Sequence, residues 1–392
     1  MELAKRYGDI PLLTRTYQID EINSVEKTPF DKVIDFIVDE CDKAAPELPV
    51  SYKDFYNETG RATRGMAMSV KARALLYAAS KLHNPSHDTD KWKKAAKASY
   101  DIIKTGWYTL PNIDVDPLYD VNGGNVVLNS SQLIFERRNN DDNAFESRNL
   151  PIGFENGNSG NTPTQNLVDA YEMADGTPFS WENTKHASKP YSGRDPRFYK
   201  AILYNEASFM GTKIETFEGG RNASPITGAT LTGYYLRKYM NETVSLSPTN
   251  PIKKPHHFIL FRYAETLLNY ADYTSDADEL PMSARTALNM VRSAANMPNI
   301  TDNGDDFTTR LRNERRIELA FEDHRFWDIR RWMIGDVVKD IYGVKITKKG
   351  SKYSYTPVKI QTRVWEEKMN LYPIAQSEIY KNGNLTQNDG WE

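Results

Sequence analysis

Residues 312–332 read RNERRIELAFEDHRFWDIRRW, and this stretch limits most what the chain can fold into. Eleven of its twenty-one residues are Arg, Glu or Asp, yet Phe321, Phe326, Trp327 and Trp332 are threaded among them. A solvated charged helix has no use for four aromatics. Glu314, Glu318, Glu322 and Arg325 follow one another at i+4, i+4 and i+3, so one helical face carries all four. Ile317 and Phe321 supply an apolar face. Local spacing offers the pairs Arg315–Glu318, Glu322–Arg325 and Asp328–Arg331. A helix charged on one side and apolar on another fits the centre of a helical bundle, where bidentate Arg–carboxylate pairs tie neighbouring elements together. The stretch therefore reads as a brace. A catalytic carboxylate pair ranks below that reading. Each acid has an arginine within one turn, which lowers its pKa, the wrong direction for a general acid. His324 has no second histidine at metal-ligand spacing, so nothing supports a zinc helix.

The chain has 392 residues, with 50 Lys+Arg against 53 Asp+Glu and a net charge of −3. That balance gives no electrostatic argument for nucleic acid or an anionic membrane surface. The single cysteine, Cys41, rules out an internal disulfide. No run approaches the ~20 apolar residues of a membrane helix. The opening MELAKRYGDIPLL shows no signal peptide, and Leu3 and Tyr7 read like the end of a helix that begins upstream.

Thr28 and Pro29 are placed to cap and start a first helix, with Phe30, Val33, Ile34, Ile37, Cys41 and Ala44 at helical spacing. Pro46 and Pro49 are expected to stop it. A second helix is expected over 66–82, rich in alanines that let helix axes approach closely. A third is expected from a cap at Asp90, with Trp92, Ala95, Ala96, Ser99, Ile102 and Ile103 on one face. Two paired helices of this length look like a tetratricopeptide hairpin. From 105 to about 250, Gly, Asn, Pro and Ser dominate and helical periodicity disappears. Residues 132–136 and 234–239 read there as small strands. Helices return over 258–273 and 283–295, with a break at 276–281, and the basic, Tyr-rich segment 341–359 reads as a hairpin or loop. The fold class expected is mainly α: tetratricopeptide-like helical hairpins (28–104), an irregular loop-rich insert with a few short strands (105–250), and C-terminal helices (251–392), all within one domain.

The motif Glu314-Arg315-Arg316-x-Glu318-Leu319, followed by Glu322-x-His324-Arg325-Phe326-Trp327-Asp328-x-Arg330-Arg331-Trp332, resembles the C-terminal signature of the SusD/RagB-like proteins of Bacteroidetes. GRATRGMAMSVKARALLY (60–77), PTQNLVDAYEMADG (163–176), DPRFYKAILYN (195–205), TGYYLRKY (232–239), FRYAETLLNYAD (261–272), ALNMVRSAANMP (287–298), LYPIAQSEI (371–379) and LTQNDGW (385–391) are similar to further family segments in the same order. RYGDIPLL (6–13) also fits, although in the family it lies well inside the chain. The sequence departs from the family where Asp323 replaces a usual Gly, and where Ala375 and Asp389 replace usual prolines. The family's lipidated N-terminal Cys and the helices that follow it are not in this sequence.

The resemblance implies a cell-surface lipoprotein of the outer membrane, held there only through an N-terminal lipid anchor. It implies a protein without cofactor or reaction that binds a glycan and delivers it to a SusC-like TonB-dependent transporter. It also implies that the irregular half carries the ligand. A sugar site needs aromatic faces for pyranose rings and planar polar partners for hydroxyls. Trp327, Trp332, Trp365 and Trp391 lie in the shared motifs, Trp92 is on a helix face, and one of Trp107 and Tyr108 is expected to be buried. Trp181, Phe145 and Phe154 remain, together with Asn143, Arg148 and Asn156 in the Asn-rich loops. The plainer reading makes the aromatics loop anchors, the asparagines turn formers, and Arg148 a partner of Asp141 or Glu146. Two other functions stay open. An all-helical glycoside hydrolase or lyase needs two carboxylates about 5–9.5 Å apart across a cleft. A helical-repeat scaffold needs only a protein partner.

Overall fold

Caps set where the helices begin. In the computed structural model, which describes residues 1–52, 60–119, 130–273 and 281–392, the first long helix is Phe30–Glu47. Pro29 is its cap rather than its first helical residue, and Pro46 sits inside the last turn instead of ending it. A proline so near the C-terminus forfeits little of the helical ladder. The next helix, Arg64–Ala79, is capped by Thr63, whose hydroxyl accepts from the Met66 amide. Its buried residues lie all round because it packs between Phe30–Glu47 and Thr89–Ile103. That third helix is capped by Asp88, two residues before the expected Asp90.

The row continues across a long gap in sequence. Thr89–Ile103 packs on Tyr263–Ala271, which packs on Ala284–Ala294 and on Gly304–Glu318. Leu76, Ala79, Ala95, Ala96, Leu267, Leu268, Leu288 and Leu311 form the shared core. The alanines at the contacts bring the axes close. The helix expected over 258–273 is split: Phe258–Arg262 is a strand, antiparallel to Leu133–Arg137, and only Tyr263–Ala271 is helical. Strand pairing overrides helical spacing there. The expected break at 276–281 falls mostly outside the described residues.

The irregular half has short helices and two-residue strands, such as Ile202–Leu203 paired with Tyr235–Leu236. It has its own core of Val168, Tyr171, Phe198, Ile202 and Tyr234, joined by Val344 and Ile346. Those last two residues come from the hairpin Asp340–Lys349 and Lys352–Thr362, which realises the expected 341–359 segment. Gly233 makes this contact close. Its φ is +86°, and a Cβ there would sit 2.7 Å from Val344 Cγ1.

The helix Gly304–Glu318 joins the two halves. Phe307 and Leu311 enter the helical core, while Ile317 enters the other. Trp92, Trp327 and Trp332 are buried, and Tyr108, rather than the more exposed Trp107, packs on the helical core.

Candidate functional site

The acids of the brace are interior, but they do not share one helical face with Arg325: the helix ends at Glu318, Glu322 sits in the turn after it, and Arg325 starts a second helix. Glu314 is 1% exposed, and Glu318 and Glu322 are each 5% exposed. Glu314 accepts from Arg197 at 2.5 Å and Arg292 at 2.8 Å. Glu318 accepts from Arg197 at 2.9 Å and Arg262 at 2.6 Å. Glu322 accepts from Arg262 at 2.7 Å and Lys238 at 2.6 Å. Arg292 and Arg310 extend the chain to Glu172, and Arg197 also grips Asp195. A second set links Arg315, Asp328, Arg331 and Asp272.

Two of the locally paired contacts are corrected by this geometry. Arg315 turns to Asp328 rather than Glu318, and Glu322 turns to Arg262 and Lys238 rather than Arg325. A buried carboxylate needs both oxygens satisfied, and here the partners that satisfy them come from other elements. The Asp328–Arg331 pair is present. Burial pushes carboxyl pKa values up, but Arg262, Arg197 and Lys238 outweigh it at Glu318 and hold it at about 2. Glu322 is lowered in the same way, against burial, by Arg262 and Lys238. At Glu314 burial prevails and raises the pKa against the pull of Arg197 and Arg292. Trp332 lies 4.5 Å below the Arg331 guanidinium and 5.0 Å below that of Arg312, so the aromatics pack against the cations.

An open cleft lies elsewhere, in the irregular half. The short helix Ala144–Asn149 follows Asn143 and turns Phe145 and Arg148 to one side. The loop 156–161 passes over it. Gly160 permits this, since a Cβ there would lie 2.5 Å from the Arg148 carbonyl oxygen. Together with Asn139, Asp142, Asn149, Asn158, Asn161 and His256, these residues line a space of about 680 Å³. The Phe145 ring stacks on His256 with centroids 5.2 Å apart and planes at 22°. His256 is fixed from both sides: one ring nitrogen is 2.8 Å from Glu146 Oε1, the other 3.2 Å from the Lys254 carbonyl. Burial lowers the imidazole pKa, but the Glu146 hydrogen bond and charge outweigh it, and the net shift is upward.

The amides hold the loops. Asn149 donates to the Phe145 carbonyl, Asn158 to that of Ser147, and Asn161 to the Asn149 side chain. Each commits one of its two amide donors to this framework, while Asn158 and Asn161 remain exposed to the cleft. Arg148 is exposed and pairs with neither Asp141 nor Glu146, whose carboxylate goes to His256 and the Asn241 amide.

Phe145 and Arg148 are thus brought together, with Asn143 at the start of their helix, where its side chain donates to the Ser245 carbonyl. Phe154 packs edge-on against Phe209, 5.5 Å away. Asn156 adopts a φ of +54° and donates to the Leu246 carbonyl. Trp181 is in another cluster, edge-on to Phe179 and donating to Asp169 at 3.1 Å. His256, Asn158 and Asn161 are cleft residues that sequence reasoning missed. The His256-His257 pair after Lys254-Pro255 was the visible signal for the first of them.

Residues 131–391 match the SusD family. SusD-like protein P25 of Formosa agariphila is 24% identical over 413 residues, covering 98% of this chain and 68% of that protein. A SusD-like protein of Bacteroides fragilis NCTC 9343 superposes with a TM-score of 0.82 at 26% identity, covering 100% of this chain and 77% of its own. A SusD-like carbohydrate-binding protein of the same strain gives 0.79 at 27% identity, covering 98% and 77%.

Proposed function

Because this chain belongs to the SusD family, we propose that it captures a glycan at the cell surface and passes it to a SusC-like TonB-dependent transporter in the outer membrane. On this reading the paired helices form the rigid side that docks to the transporter, and the irregular half holds the sugar. Membrane attachment is through a lipid anchor on the whole protein. No helix among the described residues is long and apolar enough to cross a membrane.

The observation that carries the proposal is the Phe145–His256 platform beside Arg148, whose guanidinium has no partner among the described residues, in an open cleft. A pyranose face stacks on the ring. Its hydroxyls donate to amide oxygens of Asn158 and Asn161 and accept from Arg148. Asn143, Phe154 and Asn156 shape the loops around this site, and Trp181 supports the neighbouring core. The protein binds without transforming its ligand. Glu146, the carboxylate partner of His256, is fully buried, and the imidazole has both nitrogens engaged. Neither is presented for proton transfer to a sugar.

Affinity gel electrophoresis against a panel of neutral and acidic polysaccharides tests the proposal. At least one should retard the protein, Phe145→Ala should abolish the retardation, and Trp181→Ala should leave it. Retardation that survives Phe145→Ala, or steady release of reducing ends, would overturn it.

A further inference from the structure

The hairpin Asp340–Lys349 and Lys352–Thr362 carries a charge pattern that the cleft does not use. Residues 339–363 hold six lysines and Arg363 against one acid, Asp340, in a chain of net charge −3. At the base the lysines are matched. Lys339 pairs with Asp336 at 2.6 Å, Lys359 with Asp340 at 3.1 Å, and Lys345 with Glu218 at 2.9 Å.

The tip is different. Lys349 and Lys352 stand directly opposite each other in the ladder, an arrangement that costs stability. Lys348 lies opposite Tyr353, its ammonium 4.5 Å over the Phe217 ring and 5.3 Å over Tyr353. Among the described residues no carboxylate pairs with Lys348, Lys349 or Lys352. The acids packed beside the tip are already engaged: Glu218 by Lys345, and Glu206 by the Tyr353 hydroxyl at 2.6 Å. Lys213, which donates to the Glu206 carbonyl at 3.0 Å, adds another cation. Among the described residues no carboxylate repays the repulsion between Lys349 and Lys352.

We propose that this tip binds the carboxylate or sulfate groups of an acidic polysaccharide, a subsite that rests on the glycan-binding reading and names the ligand class. Unmatched ammonium groups supply the attraction. The half-buried rings of Tyr353 and Phe217 beside them offer faces to the sugars that carry the anions. A lipid surface fits less well, since none of the large exposed apolar side chains among the described residues lies at the tip to enter a bilayer.

The test is affinity electrophoresis of the wild type and of a Lys349→Ser/Lys352→Ser variant in polygalacturonate, dextran sulfate and a neutral glycan that the cleft binds. The variant should lose about fivefold in affinity for an acidic polymer at low salt, a difference that vanishes at high salt. Its affinity for the neutral glycan should be unchanged. Unaltered affinity of the variant for both acidic polymers, or no binding of either by the wild type, would overturn the proposal. So would lysine-dependent binding to phosphatidylglycerol vesicles without binding to either polymer. Failure of the cleft reading shows separately, as neutral-glycan binding that survives Phe145→Ala.

Discussion

Arg262 and Glu322, sixty residues apart, face each other through two charge-assisted hydrogen bonds of 2.7 and 2.8 Å. The same guanidinium also reaches Glu318 at 2.6 Å. Arg262 ends the strand that pairs with Leu133–Arg137, and Glu322 follows the brace helix. The ion pair therefore fastens the start of the helix Tyr263–Ala271 to the turn that follows the brace helix.

Removing one partner of this pair leaves the other charged and buried. Arg262→Met and Glu322→Gln should each cost about 3–5 kcal/mol, the range for a broken buried ion pair. Urea unfolding followed by tryptophan fluorescence checks this. A loss below about 1 kcal/mol, typical of exposed pairs, would make the network incidental.

The network also sets the acid limit of stability. The folded pKa of Glu318 is held at about 2, below its unfolded value of roughly 4.3. A depressed carboxylate contributes stability above the unfolded pKa and loses it as pH falls through the folded one. Stability should hold down to roughly pH 4.5 and then decline toward pH 2. Glu318→Gln should flatten that decline. A Tm that falls equally steeply in the variant would contradict the assignment.

His256 has the opposite sign. Its folded pKa is raised, with burial outweighed by Glu146, so its stabilisation is complete below the unfolded value and disappears as pH rises through the folded one. NMR titration should place the His256 midpoint above that of a free imidazole. Glu146→Gln should bring it down, and a midpoint unchanged by that substitution would mean that Glu146 does not govern the imidazole.

Asp323 stands where the resembling family has glycine, and its φ is +64°. Aspartate tolerates this region better than most residues, and here its carboxylate also accepts from the Trp327 indole at 3.3 Å. Asp323→Ala loses both advantages. It should be less stable than Asp323→Gly by about 1 kcal/mol, as measured by thermal unfolding. Equal stabilities would mean that the backbone at this turn relaxes.

What could be read from sequence follows from the range of each interaction. The helix with Trp92, Ala95 and Ala96 on one face is a local pattern, and only its cap was displaced, from Asp90 to Asp88. The brace was legible as a brace because charge and aromatics alternated along it. Its partners were not, because Arg197, Lys238 and Arg262 come from elements 56 to 121 residues away. The cleft shows the same division. Phe145 and Arg148 share one short helix and were visible, whereas His256 reaches that helix, at Glu146, from 110 residues downstream. Trp181 looked free in a polar segment, and its packing on Phe179 and Asp169 is tertiary.

The most direct test is hydrogen–deuterium exchange of the protein with and without a bound polysaccharide. Added protection should concentrate in 139–161 and 254–257, the walls of the Phe145 cleft. Protection confined instead to the crevice formed by Tyr7, His83 and Asn388, with residues 139–161 unchanged, would contradict the account.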